Sequence, residues 1–129
     1  MSATIPDIPK VVRLDRSDNF QRQPCSNCPW RIDSQPGEFG TDAYRRLAHT
    51  AYDLAHRVFT CHKSKDENPL VCAGFLLRGA DHNLTVRINY AEARTLVDDA
   101  GLELYPNYRA MAVANGLDCD DPALERCRD

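Results

Sequence analysis

The residues in this chain whose type and spacing most strongly suggest chemistry are its cysteines. Six cysteines occur in 129 residues, and four of them lie between positions 25 and 72. Cys25 and Cys28 form a C-x-x-C motif within the stretch RQPCSNCPWRID, and Cys61 and Cys72 follow later. A C-x-x-C pair can be half of a zinc site, half of an iron–sulfur site, a redox dithiol or a disulfide. The partners of the pair therefore decide its chemistry.

The spacing of Cys61 and Cys72 favours iron and sulfur over zinc. The gap in C-x-x-C lets both sulfurs face one centre from a single tight turn. Zinc fingers and ribbons usually close with a second short-gap pair, and Cys61 and Cys72 are separated by ten residues. An iron–sulfur cluster is several ångströms across, so ligands from separate segments can reach its corners. A zinc site stays open as the alternative.

The residues that flank these cysteines are candidates for the wall of the site. Pro29, Trp30 and Arg31 follow Cys28 directly, and His62 follows Cys61. Trp30 would shield a cluster from water, while Arg31 and His62 would offset its negative charge. His62 is also a candidate ligand. The alternatives are that Trp30 is an ordinary core residue and that the side chains of Arg31 and His62 are simply solvated. The two remaining cysteines, in the C-terminal tail, are expected to be core residues and not ligands, namely Cys119 and Cys127.

The composition is that of a soluble globular protein. The hydrophobic share is 43%, and the longest apolar run is far shorter than a transmembrane helix. The N-terminus lacks a signal-peptide layout, which predicts a cytoplasmic protein whose cysteines remain reduced. A net charge of -3 gives no overall attraction to nucleic acid. Adjacent carboxylates such as Asp98 and Asp99 point apart on a helix or turn, so no hydrolase site is predicted.

The pattern of apolar and helix-breaking residues predicts a mainly α fold with four to five short helices in a single domain, 1–129. Residues 1–21 are expected to be an extended arm because Pro6 and Pro9 interrupt them. An apolar stripe predicts a helix from Thr41 to Val58 that delivers Cys61. Further helices are predicted at 69–79, 83–100 and 107–115. The tail, 118–129, is expected to hold a short helix that Asp121 caps.

Several segments together resemble a family of small proteins from actinobacteria and actinobacteriophages that carries a P-C-x-x-C-P-W-R signature. The segments are PCSNCPWR (24–31), FTCH (59–62), VCAGFL (71–76), ADHNLTVR (80–87) and MAVANG (111–116). The resemblance covers roughly residues 22–117. It implies a protein with a low-potential 4Fe-4S cluster, of unsettled biological role. Carried over to this sequence, the four ligands are Cys25, Cys28, Cys61 and Cys72.

The expected function is therefore that of a cluster-binding redox protein, more an electron carrier or sensor than an enzyme. Its redox partner is unknown, and a host protein is one candidate if the chain is phage-encoded. Two alternatives remain open. One is a zinc- or cluster-stapled module that binds host transcription machinery, in which the metal contributes folding free energy. The other is a thiol–disulfide oxidoreductase that uses Cys25 and Cys28, although the strand–helix alternation of a thioredoxin-like fold is missing.

Overall fold

The structure, a computed structural model, describes residues 11–12, 19–37, 39–64 and 69–127. Two short strands pair antiparallel, with Val11 opposite Phe59 and Val12 opposite Val58. In chain order the elements are β1 (Val11–Val12), α1 (Thr41–Leu47), a 3-10 turn (Ala48–Thr50), β2 (Val58–Phe59), a π-helix (Phe75–Gly79), α2 (Leu84–Asn89), α3 (Ala91–Leu96), α4 (Tyr108–Ala114) and a 3-10 turn (Pro122–Leu124). Most of the predicted arm, 1–21, lies outside the described residues.

The predicted mainly α class is wrong. The longest helices in the described ranges have seven residues, and turns, isolated β-bridges and a two-stranded sheet account for much of the rest. The segments that carry Cys61 and Cys72 are extended and exchange backbone hydrogen bonds with one another, so they do not form helices.

The helix predicted from Thr41 to Val58 ends at Leu47 and continues only as a 3-10 turn to Thr50. Leu54 was predicted to lie on the apolar face of that helix, and it has a φ of 63° and an exposed fraction of 63%. A left-handed backbone at a residue with a branched side chain cannot continue an α-helix. The chain turns there and enters β2, which leads directly to Cys61.

The segments 19–21 and 70–72 run side by side. The Gln21 N–H donates to the Val71 carbonyl at 2.9 Å, and the Val71 N–H donates to the Asn19 carbonyl at 2.8 Å. The last described part of the N-terminal region is therefore fixed against the segment that carries one of the candidate ligands.

The segment 59–61 lies on the other side of the 70–72 segment and completes a ladder of three extended segments. The Cys61 N–H donates to the Leu70 carbonyl at 2.7 Å, and the Cys72 N–H donates to the Phe59 carbonyl at 2.8 Å. Backbone pairing thus places Cys61 opposite Leu70 and Cys72 opposite Phe59. The helix predicted from residue 69 begins only after Cys72, because the backbone of 70–72 is used in this ladder.

The core is built around Trp30, whose side chain is fully buried. Its ring meets Phe59 and Tyr108 edge-on, with ring centroids 5.8 Å and 5.9 Å away. The indole also lies against Gly74 and Gly79, where a Cβ atom would overlap it. The absence of a side chain at both glycines therefore allows the π-helix to pack directly on the indole.

The C-terminal half contains the helices that the sequence predicts best. Helices α2 and α4 begin at asparagine caps, with Asn83 accepting from the Val86 N–H and Asn107 accepting from the Ala110 N–H. Asp121 likewise caps the last turn, as predicted. Every helix within the described ranges is too short or too polar to cross a membrane.

Candidate metal centre

The four predicted cysteines come together as two close pairs. The Sγ atoms of Cys25 and Cys61 are 3.5 Å apart, and those of Cys28 and Cys72 are 3.8 Å apart. The C-x-x-C loop supplies one member of each pair, and the ladder of extended segments supplies the other. The structure thus brings together all four residues singled out in the sequence.

The C-x-x-C loop consists of two successive tight turns. The Cys28 N–H donates to the Cys25 carbonyl at 3.2 Å, and the Arg31 N–H donates to the Cys28 carbonyl at 3.0 Å. Asn27 adopts a φ of 60°, a left-handed conformation that asparagine tolerates better than most residues. These turns direct both sulfurs toward the ladder.

The distances between the sulfur atoms can be compared with those around one zinc ion. A zinc ion with Zn–S bonds of about 2.3 Å holds all its thiolate sulfurs about 3.8 Å from one another. Among the described residues, no three of these four cysteines have sulfur atoms that all lie within 4.8 Å of one another. The separations within the two pairs, 3.5 Å and 3.8 Å, are close to the zinc value, and the four sulfurs together are less compact than a zinc site.

The four cysteines differ in exposure, and the pKa values of Cys25, Cys28 and Cys61 are raised. Cys28, Cys61 and Cys72 are buried, while Cys25 is half-buried. Hydrogen bonding with Cys28, together with burial, raises the pKa of Cys25 to about 12. Hydrogen bonding with Cys25 and burial also raise the pKa of Cys61. For Cys28, the hydrogen bond with Cys25 lowers the pKa, and the bond with Cys72 and burial outweigh it, so the net pKa is raised.

Nitrogen donors lie close to the sulfurs of Cys61 and Cys28, with two of them at Cys61. The Gln21 amide Nε2 lies 3.3 Å from the Cys61 Sγ, and the Lys63 backbone N lies 3.4 Å from the same atom. The backbone N–H of Trp30 interacts with the Cys28 sulfur. Such N–H groups stabilise sulfur that carries negative charge, as it does when a metal is bound. Gln21 was not predicted, since nothing in the sequence of the arm marks it.

The residues predicted to form the wall of the site make different contacts around the C-x-x-C loop. Trp30 is a core residue beneath it, and Pro29 is buried. The Arg31 Nη1 donates to the Cys25 carbonyl at 3.3 Å, and its guanidinium forms two 2.7 Å bonds to the Asp33 carboxylate. Arg31 therefore stabilises the backbone of the loop, and the Asp33 carboxylate largely neutralises the charge of its guanidinium. His62 is buried and packs edge-on against Phe39, with centroids 5.1 Å apart.

Asn115, a buried residue at the end of α4, forms hydrogen bonds with the chain that follows the C-x-x-C motif. Asn115 donates from Nδ2 to the Pro29 carbonyl at 3.4 Å and to the Met111 carbonyl at 2.8 Å. Its Oδ1 accepts from the Gly37 N–H at 2.9 Å. The residues after Cys28 are thereby attached to a helix that is 86 residues away along the chain.

A protein-family model matches residues 20–128, which include all four clustered cysteines, Gln21 and Asn115. The family is DUF6283, a family of unknown function. This chain belongs to it. No curated protein and no solved structure matches the chain.

The other two cysteines of this DUF6283 protein lie apart from the centre. Cys127 is buried, with its Sγ 3.9 Å from the Ala48 carbonyl oxygen. Cys119 is exposed beside Asp118 and Asp120, and the ligand atoms of these three residues lie within 4.8 Å of one another. Cys127 is thus a core residue, as expected, whereas Cys119 is exposed and the expectation that it is a core residue is wrong.

Proposed function

We propose that this protein binds one iron–sulfur cluster, of the 4Fe-4S type, through Cys25, Cys28, Cys61 and Cys72, and acts as a low-potential electron carrier or redox sensor. The observation that carries the proposal is the convergence of four cysteine sulfurs from three separate segments of the chain. The sequence resemblance to the P-C-x-x-C-P-W-R family supports the same cluster.

The donor set suits such a group. All four candidate ligands are cysteines, which are the usual ligands of iron–sulfur clusters. When bound, the cluster would supply one-electron redox chemistry, and the chain would supply its ligands and surroundings. Four thiolates carry four negative charges, which favours a low reduction potential. The amides near Cys61 and the burial of three of the cysteines are the means by which this chain would adjust that potential.

A thiol–disulfide oxidoreductase fits the site less well. A redox C-x-x-C motif needs a thiol whose pKa is lowered, usually at a helix N-terminus. Here the pKa of Cys25 is raised to about 12, and the motif lies in consecutive turns that no helix follows directly. We place the protein in the cytoplasm, where thiols stay reduced and available for a metal.

Anaerobic purification followed by iron, sulfide and zinc analysis tests the proposal. We expect a brown protein with about four irons and four sulfides per chain, which a low-potential reductant bleaches reversibly. A colourless protein with one zinc per chain would instead identify a zinc-stapled module. Pull-down with host transcription machinery would then become the relevant assay.

Cysteine variants test the ligand assignment. Cys61→Ala and Cys72→Ala are expected to yield colourless protein of reduced solubility, because each removes a ligand and leaves the cluster exposed to loss. Cys119→Ala is the matched control, since Cys119 is exposed and lies outside the group. Equal iron content in all three variants would refute the assignment.

A further inference from the structure

The two sulfur pairs differ in the donors that reach them, and the difference centres on Gln21. Its amide Nε2 lies 3.3 Å from the Cys61 Sγ. Gln21 precedes Cys25, which is the first cysteine of the chain. The backbone N of Lys63 reaches the same sulfur at 3.4 Å. Cys61 therefore receives both a side-chain donor and a backbone donor.

The backbone holds Gln21 where this contact requires it. The Gln21 N–H donates to the Val71 carbonyl at 2.9 Å, and Phe20 forms a parallel bridge with Val71. Val71 in turn forms an antiparallel bridge with Thr60, next to Cys61. The amide and the sulfur that it contacts are therefore parts of one hydrogen-bonded ladder.

We propose that Gln21 is a positioning residue that holds the Cys61 thiolate by an N–H···S hydrogen bond and raises the reduction potential of the metal group bound there. The inference rests on the proposed function. An N–H dipole directs its positive end at the sulfur, and the reduced state of the group carries one more negative charge than the oxidised state. The hydrogen bond therefore stabilises the reduced state more than the oxidised state.

The test compares two glutamine variants of the loaded protein. Gln21→Met has a similar volume and lacks the N–H donor, so its reduction potential is expected to be more negative than that of the wild type. Gln21→Glu, which brings a carboxylate to the same sulfur, is expected to shift the potential further in the same direction. Gln23→Met is the matched control, because Gln23 is exposed two residues away and its potential should equal that of the wild type.

Spectropotentiometry measures these potentials, and iron and sulfide analysis confirms that each variant carries the same cluster. A potential of Gln21→Met equal to or above that of Gln23→Met would overturn the inference. The unfolding midpoints in urea, measured in parallel, separate a change in potential from a general loss of stability.

A cobalt titration separates failure of the inference from failure of the proposed function. If the purified protein holds no iron, the proposed function fails, and Co²⁺ is added to the reduced chain. A hydrogen bond lowers the energy of the thiolate lone pairs, so its loss should move the sulfur-to-cobalt charge-transfer band to longer wavelength in Gln21→Met and leave it unmoved in Gln23→Met. Unmoved bands in both variants, or the absence of any thiolate-to-cobalt band in the wild type, would overturn the inference.

Discussion

Each cysteine of the C-x-x-C motif lies against a cysteine from a different segment. Cys25 is paired with Cys61 at 3.5 Å, and Cys28 is paired with Cys72 at 3.8 Å. Four cysteines allow three disulfide connectivities, and the structure favours one in which both bonds join distant segments. These two contacts therefore join the C-x-x-C motif to other segments of the chain, while Cys25 also hydrogen-bonds with Cys28.

Oxidation of the metal-free protein tests this pairing. Diamide is expected to join Cys25 to Cys61 and Cys28 to Cys72, because their Sγ atoms lie 3.5 Å and 3.8 Å apart. In each reaction two thiols lose two protons and two electrons, and diamide is reduced to the corresponding hydrazine. Mass spectrometry of proteolytic peptides identifies the bonds, and Cys119, which is exposed, should remain open to alkylation. A dominant Cys25–Cys28 bond would contradict the prediction.

At the scale of elements, the π-helix and the C-x-x-C loop are joined through Trp30. The indole follows Cys28 by two residues and lies against Gly74 and Gly79 on the helix that follows Cys72. A Cβ at Gly74 would lie 2.5 Å from the Trp30 Cβ. Trp30 therefore fixes how closely the C-x-x-C loop and the helix that follows Cys72 approach one another, in addition to being a core residue.

The glycine at the end of the π-helix offers a test of this packing. Alanine normally stabilises a helix interior relative to glycine by about 1 kcal/mol. In Gly79→Ala the new Cβ would overlap the Cη2 edge of the Trp30 indole, so we expect a net loss of about 1–3 kcal/mol in the free energy of unfolding, typical of overpacking. Urea denaturation measures it.

Arg78→Ala is the control for that substitution, because it introduces alanine into the same helical turn at a half-buried position. Its unfolding midpoint should stay close to that of the wild type. A Gly79→Ala midpoint at or above the Arg78→Ala midpoint would show that the indole can move without cost.

At the scale of the whole molecule, the site depends on a helix near the C-terminus. Helix α4 supplies Tyr108 to the packing of Trp30 and Asn115 to the carbonyl of Pro29. The Tyr105 N–H also donates to the Trp30 carbonyl at 3.0 Å. The loop that carries two ligands is thus fixed by residues that lie more than seventy positions later in the chain.

The two asparagines at the ends of α4 allow this dependence to be measured. Asn107→Ala removes only a helix cap, and the expected loss of unfolding free energy is about 1 kcal/mol. Asn115→Ala leaves the Pro29 carbonyl without its partner, at an expected cost of about 1–3 kcal/mol. Because Asn115 supports the cysteine loop, only Asn115→Ala should also release metal faster to a chelator.

Release rates are compared at equal stability, with urea used to match the two variants. Equal release from Asn107→Ala and Asn115→Ala would mean that Asn115 acts through global stability alone.

The sequence predicted well those features that depend on local chemistry. The asparagine at position 107 and the glycine at position 116 bound α4, and Asp121 before Pro122 caps the last turn. Helix capping depends on residues within one turn, so these signals can be recognised without the rest of the fold. The grouping of Cys25, Cys28, Cys61 and Cys72 was also predicted, because four cysteines in a short block of a chain expected to stay reduced suggest shared ligation.

The tertiary structure decided the features that depend on distant backbone. The apolar stripe after Thr41 fits a long helix, yet the chain turns at Leu54 and forms β2, and the residues after β2 pair with the backbone of 70–72. The residues next to Gln21 and Asn115 in the sequence do not indicate which contacts these two side chains make. Their contacts with Cys61 and Pro29 arise only when segments 40 and 86 residues apart meet. The sequence by itself therefore determined which residues could form the centre, and only the fold decided how they are paired and what holds them.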